Sequence, residues 1–253
     1  MPKPYLGITG FTTPQETAAI AAALPREAGR RVMFGVLADA ATLEGGLGPS
    51  PRYPRREDVA TLLSAHPRAF NAVHYRPDSR RDLHGQLQRV AEIAGPRLAG
   101  IQINAAWPSP QALTAFRGER PEIEIILQIG RRALQIVGDS PARLTERITL
   151  EYAGTIDHVL LDASGGEGLL FDTDRSLGFL KALRDQRLDL GLGIAGGLSA
   201  STLGLAAPLI AEIPLLSLDA EGRLRDAEDR LSLRAAEKYL EAVLRLVASA
   251  AAP

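Results

Sequence analysis

The chain has 253 residues, 45% of them apolar and 23% charged, with 29 basic against 30 acidic side chains for a formal charge of −1. This composition excludes a mainly disordered chain, and the lack of a basic surplus argues against a nucleic-acid partner. There is no cysteine, which removes disulfides, thiolate metal sites and any cysteine nucleophile or base.

In chain order, the N-terminal Met1-Pro2-Lys3-Pro4-Tyr5 shows no charged-then-apolar leader. No apolar run approaches the roughly 20 residues of a membrane span, so a soluble, cytoplasmic protein is expected. Short aliphatic, β-branched runs then alternate with longer segments of helical spacing. Strands are predicted at 5–11, 31–38, 70–75, 98–104, 124–129, 158–163, 190–195 and 214–219. Several are apolar almost throughout, as expected of parallel strands covered on both faces. Thr13-Pro14-Gln15-Glu16 and Ser140-Pro141 carry helix-opening signals, and Ser199 and Ser232 stand where the seventh and eighth helices should be capped. The last helix, from about Ser232 to Ser249, presents one broad apolar face.

Eight strands alternating with eight helices predict an α/β fold, a closed (β/α)8 TIM barrel forming a single domain over residues 1–253, with an Ala-rich tail fraying from about 248. No glycine-rich dinucleotide motif follows the first strand, which argues against a doubly wound sheet; no cofactor is expected. Helix-to-strand connections are short (95–97, 154–157), whereas the strand-to-helix segments 39–54, 76–81 and 164–174 are long. In such barrels these long segments form the face that carries chemistry. The glycine- and proline-rich 39–54 segment suits a tight turn or a lid.

The strand ends gather Thr9 and Gly10, Asp39, His74 and Tyr75, Gln102 and Asn104, and Gln128. After them come Asp162, Gly196 and Gly197, and then Ser217, Asp219, Glu221 and Gly222. Asp162, at a strand tip beside Ser164-Gly165-Gly166-Glu167-Gly168, is placed for proton transfer. The glycines of Ala195-Gly196-Gly197-Leu198 let backbone N–H groups approach an anion. His74 falls on the functional face, whereas His158 lies at the opposite end of its strand and reads as structural. Arg76, Arg80 and Arg81 could attract an anionic substrate or form a solvated loop. Asp162, Glu167, Asp219 and Glu221 could converge on a hard cation, but no spacing motif supports this and no metal site is assigned.

Four segments resemble phosphoribosylanthranilate isomerase. Ile8-Thr9-Gly10 stands where that family reads Ile-Cys-Gly, and Ser50-Pro51-Arg52-Tyr53 resembles its loop after strand two. Leu161-Asp162 with the glycine loop and Phe171-Asp172, and Ala195-Gly196-Gly197-Leu198, are similar to its later segments. The resemblance implies a sugar rearrangement in which Asp162 is the acid. It implies that Arg52 contacts a substrate carboxylate and that Gly196 and Gly197 offer amides to a phosphate, while position at the strand ends makes Thr9, Gln102, Asn104, Ser164, Gly165, Gly166, Glu221 and Gly222 further expected substrate contacts. The departures are Thr9 in place of the cysteine base, Gln102-Ile103-Asn104-Ala105 in place of Gln-Leu-His-Gly, and Ala220-Glu221-Gly222 in place of Ser-Ser-Gly. The expected function is therefore altered acid/base chemistry, of isomerase or lyase type, on a small anionic metabolite of the sugar-phosphate kind, with His74 as a second catalytic group. A non-catalytic barrel binding a metabolite or a protein is the alternative.

Overall fold

The computed structural model describes residues 2–24, 30–78, 82–162 and 170–250. Eight parallel strands pair in sequence order and close, β8 onto β1, into one barrel. The strands are β1 (Tyr5–Thr9), β2 (Arg31–Asp39), β3 (Ala69–Arg76), β4 (Gly100–Ile103), β5 (Glu124–Gly130), β6 (His158–Asp162), β7 (Gly191–Ala195) and β8 (Ser217–Ala220). The helices are α1 (Pro14–Ala22), α2 (Ala40–Leu43), α3 (Leu83–Ala94), α4 (Pro110–Glu119), α5 (Arg131–Ile136), α6 (Pro141–Glu151), α7 (Thr173–Asp185), α8 (Ala207–Glu212) and α9 (Leu233–Ala250). The protein is a single-domain (β/α)8 TIM barrel.

Local chemistry sets the helix starts. Thr13 and Glu16 form a reciprocal capping box with Pro14 in the first turn, and Ser140 caps α6 through the backbone N–H of Arg143. Ser232 accepts from Ala235 and so caps α9. The expectation for Ser199 is corrected: its hydroxyl bonds the hydroxyls of Ser201 and Thr202, a 3-10 turn follows at Leu203–Ala206, and α8 begins only at Ala207 without a side-chain cap. The eighth strand also starts later than its apolar run suggests. Pro214 and Leu215 lie in a turn closed by the Leu216 N–H on the Ile213 carbonyl, leaving Leu215 exposed.

Strand alternation then divides the side chains. Outward residues such as Leu6, Ile8, Val32, Phe34 and Val36 join the helices in the main apolar core. Inside the barrel, Tyr5, Met33, Phe70, Ile126 and Leu160 form a separate apolar layer. Below it the N-terminal end is closed by an ionic plug. Glu124 pairs with Arg31 at 2.5 Å and with His158 Nε2 at 2.7 Å, while the Arg31 guanidinium lies 4.0 Å from the centre of the Phe70 ring. His158 is thus structural, and Asp162, two turns of alternation later on β6, faces the other end.

Candidate active site

At the C-terminal end of the strands a cavity of about 350 Å³ opens above the apolar layer. Its wall is made by the inward positions that continue the same alternation: Leu37, His74, Gln102, Gln128, Asp162 and Asp219. Asn104, Gly196, Gly197, Glu221 and Gly222 extend it just past the strand ends, and Ser50, Arg52 and Tyr53 reach in from the segment after β2. Thr9 does not line the cavity; it is fully buried beneath it. Ser164, Gly165, Gly166 and Glu167, together with Arg80 and Arg81, lie outside the described residues.

Two polar clusters lie at the cavity, and they adjoin where His74 on β3 pairs in register with Gln102 on β4. In the first, the Thr9 hydroxyl donates to Asp219 Oδ1 at 2.9 Å and lies 3.4 Å from His74 Nε2, while His74 Nδ1 lies 4.0 Å from Asp219 Oδ2. These groups can crowd together because β1 and β2 leave room. A Cβ on Gly35 would stand 2.5 Å from the Thr9 hydroxyl and 2.9 Å from His74, and one on Gly7 would stand 2.5 Å from Asp219. Burial raises the Asp219 carboxyl to about 7; the Thr9 hydrogen bond opposes this, and the charges of Glu221 and Asp162 reinforce it. Burial alone lowers His74 to about 3, so its imidazole is neutral at physiological pH.

In the second cluster, Gln102 Nε2 donates to Gln128 Oε1 at 3.2 Å, and Gln128 Nε2 donates to Asp162 Oδ2 at 2.8 Å. All three side chains are buried. The amides come from β4 and β5 and the carboxylate from β6, so parallel pairing of adjacent strands aligns the chain of hydrogen bonds.

Arg52 is committed within the protein. It reaches Glu221 Oε1 at 2.8 Å and Asp229 Oδ1 at 2.7 Å, so the loop after β2 is strapped to the segment after β8. Burial raises the Glu221 carboxyl, while Arg225 and then Arg52 oppose the shift. Arg225 is in turn held by the backbone carbonyls of Thr9 and Gly10. Gly10 adopts φ +96°, and a Cβ there would strike the Arg225 guanidinium. Arg76 pairs with Asp39 at 3.0 Å, and Asp39 also caps α2 through Thr42. Glu221, Asp229 and Asp39 thus each meet an arginine, and Asp162 accepts from the Gln128 amide.

Sequence reasoning named Gln128 at the mouth without a role and considered Asp219 only as one of four carboxylates around a cation, and it missed Asp229, Gly7 and Gly35. A lone polar residue at an inward position of an otherwise apolar strand was the available signal for the first two. Asp229 and the glycines act through contacts between segments distant in sequence, which no local pattern reveals.

No protein-family model matches the chain, and no curated protein matches it in sequence. Solved structures do match in fold. Phosphoribosyl anthranilate isomerase from Thermotoga maritima aligns with a TM-score of 0.62 at 16% identity, covering 97% of this chain and all of that one. Active domain 2 of a chitinase from Pyrococcus furiosus aligns at 0.57 with 10% identity, covering 100% and 97% of the two chains. A Rubisco-like protein from Rhodopseudomonas palustris aligns at 0.53 with 12% identity, over 96% of this chain and 64% of that one. Likeness to such different proteins at these identities establishes the barrel and leaves the family open. Among the described residues no helix is long and apolar enough to cross a membrane, and no group of three His, Asp or Glu side chains is arranged to hold a metal ion.

Proposed function

We propose that this barrel is an acid/base enzyme of isomerase type acting on a small anionic metabolite of the sugar-phosphate kind, with Asp219 as base and Asp162 as acid. The observation that carries the reading is that two buried carboxyl groups line one cavity in different surroundings. Asp219 is raised by burial to about 7, near the optimum for a base at neutral pH, while Asp162 is held by the Gln128 amide.

The same reading accounts for the missing cysteine. Thr9 stands at that position in the resemblance, and its hydroxyl donates to Asp219, so the carboxylate supplies next to Thr9 the basic group that a hydroxyl lacks. His74, neutral and within reach of Thr9, orients this pair in place of acting as the base itself. An anionic end of the substrate would meet the backbone of Gly196 and Gly197, both at positive φ. The charge of Glu221 nearby is offset by Arg52 and Arg225.

Incubating the protein with a panel of aldoses, ketoses and their phosphates, followed by NMR, tests this. Asp162→Asn and Asp219→Asn should each lower turnover by about 10²–10⁴-fold while changing ligand affinity little. A binding barrel without catalysis is the second reading, favoured by the engagement of Arg52 with Glu221 and Asp229. Ligands that bind without conversion, and with equal affinity in both variants, would establish it instead.

A further inference from the structure

The hydrogen-bonded chain from Asp162 through Gln128 to Gln102 has a direction. The Asp162 oxygen facing Gln128 accepts, so Gln128 must turn its NH2 group toward it. The Gln128 carbonyl then faces Gln102, and Gln102 must present its own NH2 group there. Both amide orientations are fixed by the acid at the end of the row, and the Gln102 carbonyl oxygen is left pointing away from it. That oxygen is buried, has no hydrogen-bond partner among the described residues, and belongs to a side chain that lines the cavity and is only 4% exposed. A buried acceptor in this condition strongly favours a ligand that donates to it and rejects one that cannot.

We propose that Gln102 is the specificity-determining residue of the cavity, an acceptor reserved for a hydroxyl of the ligand and held in that sense by Gln128. The inference deepens the acid/base reading and rests on it for the position of the ligand between Asp162 and Asp219. With the acid/base reading it points to a carbonyl compound that also carries a hydroxyl able to donate to Gln102. Keto acids and dicarboxylates, which present only acceptors at neutral pH, are excluded because they would set oxygen against oxygen at Gln102.

The test is calorimetric binding of D-ribose, D-ribose 5-phosphate and the analogues of each in which one hydroxyl at a time is replaced by hydrogen or fluorine. At one ring position the wild type should lose about 30-fold or more in affinity when the hydroxyl is replaced. In Gln102→Leu, or Gln102→Met should the first variant not fold, the parent and analogue should bind within about 3-fold of each other. In Gln128→Leu the Gln102 amide is free to turn, so the same ratio should collapse, whereas a merely structural role would weaken both ligands and preserve it. An unchanged ratio in the Gln102 variants, or no binding of any parent probe by the wild type, overturns the proposal. Hydroxyl selectivity that persists without turnover would leave this inference standing and remove the acid/base reading; turnover indifferent to Gln102 would do the reverse.

Discussion

Asp219 and His74 are buried side by side and burial pushes them in opposite directions, which gives the pair a testable pH signature. Asp219 rises from 3.8 to about 7, so between these values the folded chain keeps a proton that the unfolded chain has released, and stability falls as pH rises. His74 falls from 6.5 to about 3, so over that range the unfolded chain binds a proton that the folded chain refuses, and stability rises with pH. Each slope is at most about 1.4 kcal/mol per pH unit, and between roughly pH 4 and 6.5 they cancel. Denaturant titrations of His74→Gln should therefore show stability falling from pH 4 to 7, and those of Asp219→Asn should show it rising from pH 4 to 6.5. Parallel profiles for the two variants would refute the assignment. His74 and Asp162 were legible in the sequence because each is a polar residue at an inward position of an apolar strand. The part played by Asp219 was not, because its neighbours Thr9 and His74 reach it only once β8 closes onto β1 and β3 lies across from both.

The strands act as spacers as much as walls. Gly35 pairs with Thr9 in the β1–β2 register, and its missing side chain is the space that the Thr9–His74 contact occupies. Gly35→Ala should cost about 1–3 kcal/mol in chemical denaturation and should displace Thr9 from Asp219, lowering turnover more than an equally destabilising change elsewhere. The strap from Arg52 to Glu221 and Asp229 makes a second prediction. In Arg52→Ala, hydrogen exchange should quicken at both the segment after β2 and the segment after β8, because each loses its tie to the other. Exchange unchanged at the second segment would show that the strap does not hold it. The strand order, most strand positions and the caps at Thr13, Ser140 and Ser232 follow from local pattern. The start of β8 does not, because Pro214-Leu215-Leu216 is apolar yet turns before pairing, and an apolar run does not reveal where hydrogen bonding begins. Ser199 misleads for a related reason: a small hydroxyl residue after a glycine pair serves a turn as readily as a helix start.

At the scale of the whole barrel, the ionic plug and the candidate site occupy opposite ends. Burial raises Glu124, but hydrogen bonds from His158 and Arg31 outweigh it and hold the carboxyl at about 2, against an ordinary 4.5. That stabilisation is complete above about pH 4.5 and is lost as pH falls through about 2. Glu124→Gln should cost about 2–3 kcal/mol at neutral pH, with the difference shrinking in acid, and should leave ligand binding at the far end unchanged. A change in ligand affinity would mean that the two ends are coupled. The closed barrel itself was the most legible feature of the sequence, since eight apolar runs alternating with helices admit few other folds. The central claim is that Asp219 and Asp162 move a proton on a bound carbonyl compound, and solvent-deuterium exchange tests it most directly. In D2O, NMR should show deuterium entering the carbon next to the carbonyl of a bound sugar or sugar phosphate, with a rate that rises as Asp219 ionises near pH 7 and disappears in Asp219→Asn. A bound sugar that acquires no deuterium, or acquires it equally fast in Asp219→Asn, would contradict the account.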